Sequence, residues 1–281
     1  GADIPGADSF QGPSYVTGLW PHAGVDFTGK RVAVIGTGSS AIQSLPLIAA
    51  QAEHVTVFQR TPNFSLPALN AALTDEEIAA FDEAFPVFIE QIRAGEPGIP
   101  MPPPDWVPND EELAGLVETL WNGWGLVSCA QIPNLVRDER INEAACEYVR
   151  GRIREIVKDP ALAEKLVPRD FPLASKRACV DTGYFETFNR DNITLVDVRE
   201  TPIQAITPTG VKTGEAQYAA DAIVYAMGFD AMTGALNAID IRGRGGAKLK
   251  EEWAAGPRTY LGLMVAGFPN LFTITGPGSP S

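Results

Sequence analysis

The sequence predicts an α/β fold in which a short parallel sheet is interrupted by a helical insertion. Three observations carry that prediction. The runs Val32-Ala33-Val34-Ile35 and Val55-Thr56-Val57-Phe58 are apolar and largely β-branched, with a helix-compatible stretch between them. Such a strand–helix–strand unit pairs its strands in parallel. Residues from about 72 to 165 then carry helical periodicity and capping signals. After Asn192, short strand-forming runs return and lead to Ala222-Ile223-Val224-Tyr225-Ala226.

Taken in order, residues 1–29 form a connector punctuated by Pro5, Gly6, Gly12, Pro13, Gly18, Pro21, Gly24 and Gly29, with Phe10, Tyr15 and Trp20 as aromatic anchors. Lys30-Arg31 introduces the first strand. The helix behind it is expected from Ala41 to about Ala52, with Pro46 in its first turns, where a missing N–H costs little. In the insertion, Thr74 and Glu77 form a capping box, and Ile78, Phe81, Phe85 and Phe88 share a helical face. Pro97, Pro100, Pro102, Pro103, Pro104 and Pro108 make an extended break. Asn109 or Asp110 caps a helix to about 121, and another spans 137–157 around Ile141, Ala145, Val149, Ile153 and Ile156. Strands follow at 193–196, 203–206, 211–213 and 217–218. Thr209-Gly210 and Thr213-Gly214-Glu215 join the short ones into an antiparallel meander. A buried strand at 222–226 and a last one at 270–275 complete the series, with 242–246 as a glycine-rich hairpin or surface turn.

Composition narrows the function. The 281 residues are ample for a core, and 45% apolar against 20% charged residues excludes a disordered or fibrous chain. Asp and Glu number 35 against 22 Lys and Arg, a net charge of −13. A general nucleic-acid binder, which needs net basic surface, is excluded, while one small anion on a local basic cluster is not. Cys129, Cys146 and Cys179 are odd in number and form no close pair, which fits a reducing, cytoplasmic setting. No apolar run approaches the roughly 20 residues of a membrane span, and no basic-then-apolar leader opens the chain. His22 and His54, the only histidines, lack ligands at metal spacing, so no metal site is expected. Trp106, Trp121 and Trp124 read as packing residues. Both ends read as loops cut from a longer chain.

The chemistry is concentrated where the first strand ends, in Gly36-Thr37-Gly38-Ser39-Ser40-Ala41. The first glycine permits a tight turn, the second lets backbone approach a pyrophosphate, and the small residue at 41 permits close helix–strand packing. This is a Rossmann-like dinucleotide signature. At the end of the second strand, where an NAD site places a carboxylate, the chain has Phe58-Gln59-Arg60. A guanidinium there suits a 2′-phosphate, so NADP is preferred. A second basic pair, Lys176-Arg177, follows the apolar-flanked stretch 171–175; from physics alone it is equally well an ordinary surface feature.

With these residues in view, the chain resembles the Baeyer–Villiger monooxygenases, class B flavoprotein monooxygenases, and is closest in pattern to the phenylacetone and steroid branch. The segments 10–21 (FQGPSYVTGLWP), 24–32 (GVDFTGKRV), 35–41 (IGTGSSA), 58–62 (FQRTP), 188–192 (FNRDN), 233–236 (TGAL), 256–262 (GPRTYLG) and 267–271 (GFPNL) carry the likeness almost end to end. The resemblance implies a Rossmann-like NADP-binding domain with a helical insertion plus part of a second, FAD-binding one, and an enzyme that uses NADPH, FAD and O2 to turn a ketone into an ester or lactone. It implies that Gly36, Thr37, Gly38, Ser39, Ser40 and Ala41 hold the NADP pyrophosphate and that Arg60 and Lys176 bind its 2′-phosphate. Arg177 would be the active-site arginine, a fixed cation where negative charge develops. Phe10, Gly12, Val16, Trp20 and Pro21 would form the domain-linking fingerprint. Met227, Gly228, Gly276, Pro277 and Gly278 would be further cofactor-binding positions, the last three in an FAD-facing loop.

On this reading the domains are a linker at 1–29, an NADP-binding domain at 30–190 with its excursion at about 72–165, return strands at 191–229, and part of an FAD-binding domain at 230–281. Two positions depart from the family pattern. Val16 stands where the fingerprint has histidine, and Met227 where an Ala-Thr-Gly strand end has threonine. The family's amino-terminal FAD glycine motif is also lacking, so the missing FAD-domain segments of the same enzyme become an expected partner. An N- or S-oxygenating flavin monooxygenase and an isolated NADP-binding module remain as alternatives.

Overall fold

In the computed structural model, the structure describes residues 4–96, 101–103, 105–123, 125–228 and 232–279. The chain divides into two units, Gly1–Met227 and Gly228–Ser281. The first unit sets down β1 (Ser14–Val16), β2 (Arg31–Ile35), α1 (Ser39–Gln51), β3 (His54–Gln59) and β4 (Ser65–Pro67). An insertion of helices follows: α2 (Asp75–Arg93), α3 (Asp110–Asn122), α4 (Leu126–Gln131), α5 (Glu139–Ile156) and α6 (Pro160–Leu166). The chain returns through β5 (Cys179–Asp181), α7 (Tyr184–Thr187), β6 (Ile193–Asp197), β7 (Ile203–Thr207), β8 (Gly210–Thr213), β9 (Gln217–Ala219) and β10 (Ala222–Tyr225).

Five strands form one parallel sheet in the order β1-β10-β2-β3-β6. The residue pattern explains it: strands buried on both faces must be apolar almost throughout. Val32, Val34, Val55 and Val57 pack with Ile42, Leu45 and Ile48 of α1. Ala33, Ile35, Phe58, Ile223 and Tyr225 look the other way and pack with Ile206 and Val211 of the antiparallel β7-β8-β9 meander. Because every strand runs in one direction, β2, β3 and β10 end on the same edge of the sheet. Open α/β sheets bind ligands outside that edge, at the point where the strand order reverses.

The structure follows most of the expected elements and corrects several. The connector 1–29 is not wholly irregular: Ser14–Val16 forms an edge strand parallel to β10, with Tyr15 opposite Val224. A three-residue strand whose partner lies some two hundred residues away leaves no local pattern to read. Helix α1 starts at Ser39, not Ala41, because the glycine loop nucleates it directly; Pro46 therefore lies in the helix interior rather than its first turns. Both capping boxes form, Thr74 with Glu77 and Asn109 with Glu112. Helix α2 nonetheless buries none of its residues, so the Ile78, Phe81 and Phe85 face stands exposed, with the Phe81 and Phe85 rings 5.4 Å apart. Helices α4 and α6 and the parallel β4–β5 pair were not anticipated. Expectations for Pro97, Pro100, Pro104 and Trp124 fall outside the described residues. Of the other tryptophans, Trp106 is half-buried and Trp121 lies under the Arg152 guanidinium, 5.4 Å from its ring centre.

The second unit holds α8 (Gly234–Asn237), α9 (Leu249–Glu252), β11 (Met264–Val265) and β12 (Phe268–Phe272) around Leu249, Trp253, Val265 and Phe268. Its last strand ends at Phe272, not 275. Gly267, at φ +85°, turns the chain so that β12 pairs antiparallel with β11, and Ile274 is left 91% exposed. The glycine-rich 242–246 stretch is a turn closed by an Arg242–Lys248 bridge. No described helix is long and apolar enough to cross a membrane.

Candidate functional site

The glycine loop occupies the edge where β2 and β10 end side by side. Gly36 has φ +108°, and a Cβ on it would lie 2.4 Å from the carbonyl oxygen of Ala226, so the chain itself demands glycine. Gly38 is different. Its φ is −82° and its Cβ position meets nothing within 4 Å. That open side of the loop leaves room for a ligand to lie against the backbone. No side chain caps α1, so its first-turn amides and dipole are free for an anion. Buried Thr37 donates from Oγ1 to the Thr61 carbonyl at 2.9 Å and ties the loop to the segment after β3. A dinucleotide pyrophosphate fits this cradle.

Arg60 follows β3 directly. The preceding residue, Gln59, is fully buried and pinned by its side-chain amide to the Lys165 carbonyl at 2.6 Å. Arg60 itself is exposed and joins none of the ion pairs among the described residues.

The basic pair sits on a tightly held loop. Leu173 is fully buried; its carbonyl accepts from the Asn142 side chain at 2.9 Å, and its N–H donates to Cys146 Sγ at 3.3 Å. Ala174 adopts φ +64°, and Ser175 turns back to the Pro172 carbonyl. Lys176 and Arg177 are exposed beyond that turn, with Lys176 Nζ 4.1 Å from the centre of the Phe171 ring. The chain then enters β5, where Cys179 N–H donates to the Phe64 carbonyl at 3.1 Å. Burial pushes the Cys179 thiol up, while a hydrogen bond with the Ser39 hydroxyl works against that shift. Ser39 is the first residue of α1.

Two side-chain links thus draw the sequence-distant parts together. Thr37–Thr61 joins the glycine loop to the segment that begins at Arg60, and the Asn63 side-chain amide, donating to Cys179 Sγ at 3.6 Å, joins that segment to the strand behind Lys176 and Arg177. Met227 is half exposed at the end of β10, followed by Gly228 at φ +88°. Val16 ends β1 level with Tyr225 and is 38% exposed, while Pro21 is exposed. Trp20 packs with Tyr15 at 5.6 Å and Phe27 at 6.2 Å. Gly12 is required by its own surroundings, since a Cβ would meet the Asp221 carbonyl at 2.4 Å and the Phe10 ring at 2.8 Å.

Gly276, Pro277 and Gly278 belong to the second unit. There a Cβ on Gly276 would meet Thr273 Oγ1 at 2.5 Å, the Pro277 carbonyl accepts from Thr259, and Gly278 has φ +79°. Local chain geometry accounts for both glycines.

Sequence reasoning passed over Asn142, Cys146 and Phe171. The first two carried a signal: both are small polar or sulfur residues one turn apart, beside the apolar stripe of α5. A cavity of about 450 Å³ lies behind the basic loop, lined by Asn142, Cys146, Arg150, Phe171 and neighbours, and includes no glycine-loop residue. Among the described residues, no group of three or more His, Cys, Asp or Glu could hold a metal ion.

No family model matches the chain. Curated relatives do. The chain is 42% identical over 290 residues to 2-oxo-Δ3-4,5,5-trimethylcyclopentenylacetyl-CoA monooxygenase of Pseudomonas putida, covering 99% of this chain and 53% of that protein. It is 40% identical over 288 residues to cyclopentanone 1,2-monooxygenase of a Comamonas species, covering 99% and 52%. Among solved structures, oxidized steroid monooxygenase bound to NADP superposes with a TM-score of 0.89 at 48% identity, covering 99% of this chain and 54% of that one. The chain spans about half the length of the curated relatives it matches.

Proposed function

We propose, on the premise that this chain belongs to the Baeyer–Villiger family of class B flavoprotein monooxygenases, that it serves an NADPH- and FAD-dependent enzyme inserting one oxygen atom of O2 beside a ketone carbonyl. The product is an ester or lactone. The observation that carries this reading is the uncapped start of α1 behind the Gly36–Gly38 loop, open in front of Gly38, together with exposed Arg60 and the exposed pair Lys176 and Arg177.

In this reading the amides opening α1 hold the pyrophosphate. Gly36 makes the turn that exposes them, Gly38 admits the ligand, and Ala41, 1% exposed, lets α1 pack close to the sheet. Arg60 and Lys176 take the 2′-phosphate through charge-assisted hydrogen bonds. Arg177 is a fixed cation for negative charge that develops during oxygen transfer. When bound, NADPH supplies the hydride and FAD the oxygen-activating chemistry. The support for FAD is the family likeness.

The domain reading follows. Residues 1–29 link, 30–190 and 191–229 build the NADP side, and 230–281 belong to the FAD side together with segments of the same enzyme outside these residues. The three unpaired cysteines support a cytoplasmic setting.

Two measurements test the reading. Arg60→Ala should weaken NADPH about 10- to 100-fold, the worth of charge-assisted hydrogen bonds, and leave NADH unchanged. Equal losses for both would discard the 2′-phosphate assignment. In the longer enzyme, oxygenation of a ketone to an ester supports the function; oxidation confined to amines or sulfides reassigns it to N- or S-oxygenation.

A further inference from the structure

We propose that Phe171 is a positioning residue that sets the preference for a 2′-phosphorylated dinucleotide by seating Lys176; the proposal rests on the reading of Lys176 given above. The ammonium lies 4.1 Å from the Phe171 ring centre, well inside the range of a cation–π contact. The ring is itself fixed. It packs edge-on against Phe64 at 5.7 Å, and Phe64 is 1% exposed. The Phe64 carbonyl holds the N–H of Cys179, so one short path joins the strand behind the basic loop to the ring beneath its lysine.

The kind of partner matters. The chain has a net charge of −13, and several cations of the same unit are matched with carboxylates: Arg150 with Glu143 and Glu147, Arg154 with Glu164, Lys165 with Glu200. Lys176 joins no ion pair among the described residues. A carboxylate would hold the ammonium in place and cancel its charge. An aromatic face holds it through the ring quadrupole and leaves the charge for an incoming phosphate. Much of the rotamer freedom of the lysine is then given up on folding rather than on binding.

The test is a set of dissociation constants for NADPH and NADH on the 281-residue chain, using the unaltered chain, Phe171→Met, Phe171→Tyr, Lys176→Ala and the double substitution Phe171→Met with Lys176→Ala. Phe171→Met should weaken NADPH about three- to tenfold and leave NADH unchanged. Phe171→Tyr, which keeps the ring, should restore NADPH. In the Lys176→Ala background the methionine substitution should have no effect. Equal loss of both nucleotides, or a loss that persists without Lys176, overturns the proposal. If Lys176→Ala does not discriminate between the nucleotides, the reading of Lys176 falls and the proposal with it. If Lys176→Ala discriminates and Phe171→Met does not, the proposal alone falls. Unfolding midpoints of each variant separate these outcomes from loss of fold.

Discussion

The side-chain amide of Asn142 donates to the carbonyl of Leu173 at 2.9 Å, across 31 positions of chain. A second hydrogen of the same amide goes to Leu135 at 2.7 Å, and its oxygen accepts from the Cys146 thiol at 3.2 Å. One buried residue of α5 thereby fixes the loop that carries Lys176 and Arg177. Asn142→Ala should lower stability by about 1–3 kcal/mol, because two buried carbonyls lose their donors. Denaturant unfolding measures this. A change below about 0.5 kcal/mol would show that water replaces the amide at no cost.

The two glycines of the loop should part company on substitution. Gly36→Ala forces a Cβ to 2.4 Å from the Ala226 carbonyl at φ +108°, and should cost about 2–4 kcal/mol of stability. Gly38→Ala has open space and an ordinary φ, so its stability should stay within about 1 kcal/mol of the parent. Its NADPH affinity should nonetheless collapse. Thermal melts paired with nucleotide titration check both; a Gly38→Ala chain that still binds NADPH normally would falsify the cradle.

At the opposite edge of the sheet, Asp221 clasps Arg31, taking hydrogen bonds from its Nε at 3.0 Å, its terminal nitrogen at 2.7 Å and its backbone N–H at 2.9 Å. The side-chain bonds first, then the backbone one, hold the carboxyl down at about 2, against an ordinary 3.8. A depressed acid stabilises the fold above its unfolded pKa and loses that contribution as pH falls through the folded one. The stability difference between the parent chain and Asp221→Asn should therefore be full at pH 5 and above and shrink toward pH 2. Both side chains are over 40% exposed, so solvent screening limits the effect to about 1 kcal/mol. Urea titrations at stepped pH read it directly.

The cysteines should be slow to react while the chain is folded. Burial pushes Cys129 up to about 11 and also raises Cys146 and Cys179, so little thiolate exists at neutral pH. A thiol-exchange reagent at pH 7.5 should find the three cysteines of the chain unreactive until denaturant is added. Immediate reaction of Cys179 would mean that β5 parts readily from Asn63 and Phe64.

Much of this was legible in the chain because the signals are local. The βαβ unit at 31–59, the capping boxes at Thr74 and Asn109, the glycine loop and the basic pair all declare themselves within short windows. What was not legible depends on pairing across long separations. The edge strand at Ser14–Val16 exists only because β10 lies beside it, and the parallel match of Ser65 with Cys179 spans 114 positions. The same applies at the site. Lys176 can be named from sequence, but that the ring of Phe171 receives it follows from packing alone.

The close approach of Gly36 to Ala226 has a consequence for synthesis. The wall the loop leans on is made about 190 residues after the loop itself, and β1 waits for the same strand. Until β10 emerges from the ribosome, β1 has no partner and β2 offers an open edge to any other chain. At roughly 5–20 residues per second, that exposure lasts on the order of ten seconds or more. The nucleotide cradle therefore closes long after its own glycines have been made.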